Sequence, residues 1–286
     1  MTFSPTDAAF EGFRLTRREP KMIIALALLY AVFSAIILAL TYYPLGQVVR
    51  LASVVSAGEQ PDQSQVLAMM KAYGQIVAIS ALPAMVVNSI VQSAVVRSVL
   101  TPEDNRFAYL RFGKNELRVI AVNVIVSLIL TAAAVLGFGI VGVLLGFAMN
   151  GMPALAVFAT LLMLAVGAGL IALGVRFCLA VPMTFAQGRI TIFKSISLTK
   201  GRFWPLLGMI LLASVLSIVV NFLGSIVTGP LTMLSGGLTV LDGSAAISGP
   251  MVAGLFVWVA VSALLTAAQM LIFYAPAASA WKTLNA

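Results

Sequence analysis

Charge is absent from long stretches of this chain, and those stretches are apolar. A bilayer core about 30 Å thick is crossed by about 20 such residues in one helix. No charge interrupts the run from Lys21 to Arg50, and Lys71 and Arg97 bracket a second run. Between Arg118 and Arg176 lie 57 uncharged residues. One helix of that length would reach roughly 85 Å, so the segment folds back, and Asn150-Gly151-Met152-Pro153 is the natural turn. The apolar sequence after Phe203 divides in the same way, across the Gly/Ser-rich stretch 229–249 around Asp242. The pattern predicts six transmembrane helices, near residues 22–43, 77–96, 119–147, 154–175, 203–228 and 250–281. The expected fold class is an all-α, polytopic integral membrane protein forming a single membrane domain over 1–286.

Composition narrows the function. Apolar residues make up 61% of the chain and charged residues 9%, against about 25% charged in a soluble domain. Too little polar surface exists to cover a soluble globule, which excludes a soluble enzyme and a disordered tail. There is no histidine, so Ser-His nucleophiles, zinc-protease motifs and haem-histidine ligation are excluded. Cys178 is the single cysteine, expected as a packed, inert thiol. No Asp, Glu or Lys falls in a span core to serve as a base. No catalytic residue, cofactor or metal site is therefore expected.

The net charge of +8 would suggest nucleic acid in a soluble protein. Here the distribution of cations gives another reason for it. Arg14, Arg17, Arg18 and Lys21 precede the first span; Arg97, Arg106, Arg111, Lys114 and Arg118 follow the second; Arg189, Lys194, Lys200 and Arg202 follow the fourth; Lys282 ends the sixth. The other face has only Arg50 and Lys71. This bias puts both termini in the cytoplasm of a bacterial inner membrane, and no nucleic-acid partner is expected. The first apolar run is longer than a signal-peptide core and its flank mixes Asp7, Glu11 and Glu19 with arginines, so an uncleaved span is expected.

An internal repeat accompanies the spans. SPTDAAFEGFRLTRREPKMI, from Ser4, lies without a gap over TPEDNRFAYLRFGKNELRVI, from Thr101. Asp7 meets Asp104, Arg14 meets Arg111, Arg17 meets Lys114 and Glu19 meets Glu116. A weaker third copy, FKSISLTKGRFW, starts at Phe193. The chain reads as three parallel units, about 1–100, 101–185 and 186–286. Each is expected to be a basic interfacial helix followed by a transmembrane hairpin. Ser4 or Thr101 would cap the helix and Pro5 or Pro102 would begin it. Such a helix places rings in the acyl boundary and cations at the phosphates. Arg14, Arg17, Arg18, Arg111, Lys114, Lys200 and Arg202 are accordingly candidate contacts to anionic lipid headgroups, the alternative being an anchor that only sets depth.

The segment RFCLAVPMTFAQGRITIFKSISLTKGRFW, Arg176 to Trp204, carries a resemblance. Arg176, Pro182, Ser195, Leu198, Thr199, Gly201, Phe203 and Trp204 match a motif of the membrane domain found in some glycerophosphoryl diester phosphodiesterases and in uncharacterised bacterial six-span relatives. The segment resembles that family and departs from it at Gln187, where the family usually has Glu, and at Ile196, where Trp is common. The resemblance implies a fold and a location and no reaction, since the phosphodiesterase chemistry belongs to a separate soluble domain. By itself the motif reads as an elbow. Pro182 breaks the ladder after the fourth span, Trp204 suits the headgroup level, and Arg176 is either interfacial or buried against backbone carbonyls or a carboxylate, Glu103, Asp104 or Glu116.

Neutral polar residues recur at helical spacing inside the spans: Asn88 and Gln92; Asn123, Ser127 and Thr131; Ser214, Ser217 and Asn221; Ser262, Thr266 and Gln269. Asn88, Gln92, Asn123, Asn221 and Gln269 are candidates to line one intramembrane cavity, the alternative being hydrogen bonds that join helices. Gly142, Gly146, Ala165 and Gly169 are expected to pack the third and fourth spans closely. The sequence therefore points to a non-catalytic membrane protein that binds lipid or a partner protein in an envelope process. The competing class is a transporter or flippase-like protein acting through the polar cavity.

Overall fold

A computed structural model describes residues 4–56, 58, 60–150, 152, 154–236 and 248–285. The chain is an all-α polytopic membrane protein, with six helices long and apolar enough to cross a membrane and no strand among the described residues. Two short helices come first, α1 (Pro5–Ala9) and α2 (Glu11–Arg18). The long helices are α3 (Pro20–Ser56), α4 (Gln63–Leu100), α5 (Lys114–Met149) and α6 (Ala154–Phe177), then α9 (Phe203–Leu234) and α10 (Gly249–Asn285). Between α6 and α9 lie α7 (Ala180–Gln187) and α8 (Ile192–Leu198).

The helices outrun the predicted spans. Thirty-seven residues in α3 and 38 in α4 correspond to roughly 55 Å each, well beyond a hydrocarbon core. Pro44 and Pro83 do not end them. The turn between them is set by Asp62, whose side chain accepts from the Gln65 N–H at 2.7 Å while the Gln65 side chain accepts from the Asp62 N–H at 3.0 Å, a reciprocal capping box. Helix α9 continues through Gly229 and Pro230 to Leu234, so the expected loop begins later; residues 237–247, with Asp242, lie outside the described residues, as do Gly151 and Pro153 of the other expected turn.

In space the long helices neighbour one another in the order α9, α10, α3, α4, α5, α6, with α10 also crossing α4. Dense packing gathers at the end that carries both termini and most of the cations. Met22, Leu26 and Tyr30 of α3 pack there with Val91, Val95 and Val99 of α4. Val119 and Val122 of α5, Phe177, Phe185, and Leu271 and Ala275 of α10 complete the cluster. Helix α6 meets chiefly α5, while α5 also packs on α4 and α7. An added Cβ at Gly142, Gly146 or Gly169 would meet nothing within 4 Å, and Ala165 is exposed. The expected small-residue seam is therefore not the contact: Gly137 against Val166 is. Glycine spacing names faces on which helices can come close, and only the packing decides which face is used.

The basic segments depart from three like helices. The first copy is helical but broken at Phe10, and it does not lie alone in the interface. Ala8 and Ala9 pack against Leu206 and Met209 of α9 and Ala280 of α10, while Gly12 and Leu15 face α10. The second copy is not a helix. Thr101 caps the end of α4, its N–H donating to the Arg97 carbonyl at 2.8 Å, and so is unavailable as the N-cap of a new helix. Residues Arg106–Tyr109 instead form a left-handed 3-10 turn, with φ of 52°, 52° and 66° at Phe107, Ala108 and Tyr109.

Gly12 offers a direct test of the α2–α10 seat, since an added Cβ would lie 2.8 Å from the Leu271 carbonyl oxygen. Gly12→Ala is expected to destabilise the protein by about 1–3 kcal/mol, whereas Gly142→Ala, in open space, leaves the thermal midpoint in detergent unchanged or slightly raised. Equal midpoints for the two variants would contradict this packing.

Candidate functional site

The long apolar helices leave few places for chemistry, and the most polar lies at the C-terminal end of α4. Arg97 follows Ala94, Val95 and Val96 on an apolar helix, so its side chain enters the core. It is buried, and its guanidinium pairs with the carboxylate of buried Glu116 at the start of α5 and donates to the Tyr109 carbonyl. The Phe185 ring of α7 covers the cation, 5.3 Å from Cζ to ring centroid. An unpaired charge would not persist at this depth; a paired one, with its donors occupied, does. The same contact explains the left-handed turn. Such backbone costs about 1–2 kcal/mol per residue, and it is held by Arg97 on the Tyr109 carbonyl and by the buried Tyr109 hydroxyl donating to the Pro102 carbonyl at 3.0 Å.

The last carbonyls of α4 lack helical partners, and distant cations cap them. Arg18 donates to the Ser98 carbonyl at 3.2 Å and Lys282 to the Val99 carbonyl at 3.2 Å. Beside them Arg111 forms a two-pronged pair with Asp104, Nη1 to Oδ2 at 2.7 Å. A cavity of about 500 Å³ opens here, with Arg97, Arg111, Lys282, Asp104, Asn115 and Trp281 on its wall.

The sequence candidates fall in several places. Arg14, Arg17, Arg18, Lys114, Lys200 and Arg202 are exposed at this end, and Arg111 is half-buried in the cavity wall. Arg14 is engaged by Asp7 at 3.1 Å and by Glu11 at 3.6 Å. In the elbow motif, Pro182 is buried in the first turn of α7, Gln187 is exposed, and Trp204 is exposed at the start of α9. Buried Ser195 donates to the Arg176 carbonyl at 2.6 Å, tying the two halves of the motif together. The Arg176 side chain is half-buried with no carboxylate partner among the described residues; Glu116, one of the acids considered for it, serves Arg97.

The five cavity candidates are divided between two places. Asn123 of α5 donates to Ser89 Oγ at 2.8 Å and Gln92 Oε1 at 2.9 Å of α4, and Tyr30 of α3 donates to Asn88 Oδ1 at 2.9 Å. These bonds join helices. Asn221 and Gln269 instead face a niche of about 210 Å³ between α9 and α10, and neither side chain makes a hydrogen bond among the described residues. The two places are distinct because α9 packs on α10, α6 and α1.

Sequence reasoning placed Arg97 among the surface cations, considered Glu116 only for Arg176, and missed Tyr109. A signal was present: Arg97 sits between Val96 and Ser98-Val99 in an apolar run, as Arg176 does, and α4 had no reason to stop before Thr101. No family model, curated protein or solved structure matches the chain.

Removing one partner of the buried pair, by Glu116→Gln or Arg97→Met, is expected to cost about 3–5 kcal/mol, read as a lowered unfolding midpoint in detergent. Arg97→Met combined with Glu116→Leu is expected to recover part of that loss, because no unpaired charge remains. Two single variants as stable as the parent would show that the pair is not buried.

Proposed function

We propose that the protein is a non-catalytic membrane protein whose basic end engages anionic lipid of the cytoplasmic leaflet of a bacterial inner membrane, in support of an envelope process. The observation that carries this reading is the surface of that end. Exposed Arg17, Arg18, Lys114, Lys194, Lys200 and Arg202 alternate with exposed Phe10, Phe107, Phe112, Phe193 and Trp204. Rings at the acyl boundary beside cations at the phosphates are the arrangement of an interfacial binding surface. Each cation near an anionic leaflet contributes about 1 kcal/mol. Six crossings bring both termini to this one end, and the Lys/Arg bias is what assigns that end to the cytoplasm. The kinship with the six-span membrane-domain family remains part of this proposal, supported by the Ser195–Arg176 tie across its motif.

A second reading, a transporter or flippase-like protein, draws on the α9–α10 niche, where Asn221 and Gln269 hold unused hydrogen-bonding capacity. It requires that Asn221→Leu abolish solute or lipid movement in proteoliposomes while the fold persists.

The lipid reading is tested in nanodiscs of phosphatidylcholine with phosphatidylglycerol. Lipid retained by the protein, quantified by mass spectrometry, should be enriched in phosphatidylglycerol over the bulk mixture. The variant Arg17→Gln/Lys114→Gln/Lys200→Gln/Arg202→Gln should return to the bulk ratio. Retained lipid of bulk composition in the parent would refute the proposal.

A further inference from the structure

We propose that the cavity at the C-terminal end of α4 is a binding site for one phosphate-bearing anionic group. This rests on the leaflet reading and narrows it from a charged surface to one pocket and one ligand class. The wall gathers cations from chain-distant elements: Arg97 from α4, Arg111 from the segment before α5, and Lys282 from the end of α10. Asp104 is its one acid among the described residues; Glu116 is not on the wall and pairs with Arg97, so those two charges offset each other and Arg111 and Lys282 carry the site.

The free hydrogen-bonding capacity of this wall is almost all donor. Lys282 uses one ammonium proton on the Val99 carbonyl and has two more. Asn115 spends its oxygen on Arg118 at 2.7 Å, which leaves its amide N–H groups. Arg111 and Asp104 are both partly exposed, so an incoming oxyanion can exchange with that carboxylate at little cost. Donors in excess, two of them on cations, match the oxygens of a phosphate. A volume of about 500 Å³ falls within the range of small-ligand sites. The phosphate can arrive on a lipid headgroup or as a free ion, and the shared chemistry is the oxyanion.

Trp281 supplies the readout. It is one of three tryptophans, so Trp204→Phe with Trp258→Phe leaves it as the sole indole, on the cavity wall. This variant, purified in neutral detergent, is titrated with inorganic phosphate and, separately, with dihexanoyl phosphatidylglycerol below its micelle concentration, against sodium chloride at matched ionic strength. A saturable change in Trp281 emission with either probe is expected. Response to phosphate alone assigns a free ion, response to the lipid alone assigns a headgroup, and response to both assigns the shared group. Arg111→Gln with Lys282→Gln should raise the half-saturating concentration about tenfold or more, the loss of a charge-assisted hydrogen bond. Ala186→Phe, which sets a ring at the cavity mouth and removes no member of an ion pair, should do the same and decides the matter if the charge variant does not fold. A flat titration in the folded parent, an equal response to chloride, or an unchanged half-saturation in Ala186→Phe overturns the site. A flat titration with intact phosphatidylglycerol enrichment in nanodiscs removes the pocket and leaves the surface; lost enrichment with an intact titration does the reverse.

Discussion

A buried guanidinium without partners carries a heavy desolvation penalty, and Arg97 draws the end of the protein that carries both termini together to supply them. Glu116 brings the start of α5, Tyr109 brings the intervening turn, and Phe185 brings α7. The neighbouring α4 carbonyls take Arg18 and Lys282 from the two ends of the chain. One helix terminus thus holds groups from nearly every part of the sequence. Its electrostatic needs produce both the strained left-handed turn and the polar cavity beside it.

The rest of the molecule is looser by comparison. Helix α6 touches chiefly α5, and α9 leans on α10. In a bilayer this is no defect, because lipid chains cover apolar surface about as well as protein does. The hydrogen bonds from Asn123 to Ser89 and Gln92, and from Tyr30 to Asn88, hold α3, α4 and α5 together where small-residue packing does not.

The repeated basic segment shows what a sequence repeat can preserve. In both copies an aspartate pairs with the arginine seven residues on, Asp7 with Arg14 and Asp104 with Arg111. In the first copy the backbone between them is helical, and in the second it is a turn with left-handed residues. The pair survives the change of backbone because the long, flexible arginine side chain reaches the aspartate from either one. The helix does not, because Thr101 is held by α4 and Tyr109 by Arg97.

The residues alone determined the solvent and the number of crossings. Uncharged apolar runs of sufficient length have only one stable home, and Lys and Arg gather at alternate turns. They also marked the elbow at Pro182 and the exposed cations at Arg17, Lys114, Lys200 and Arg202. Tertiary structure decided which arginine is buried, for Arg97 and Arg176 stand in similar apolar strings and differ only in what packs against them. It also decided that Asn88, Gln92 and Asn123 close onto neighbouring helices while Asn221 and Gln269 find no hydrogen bond among the described residues. Helical periodicity gives the face a residue occupies, but which neighbour meets that face depends on the order of six helices around one another. That order is set by contacts between residues far apart in the chain, as when α10 returns to lie between α9 and α3.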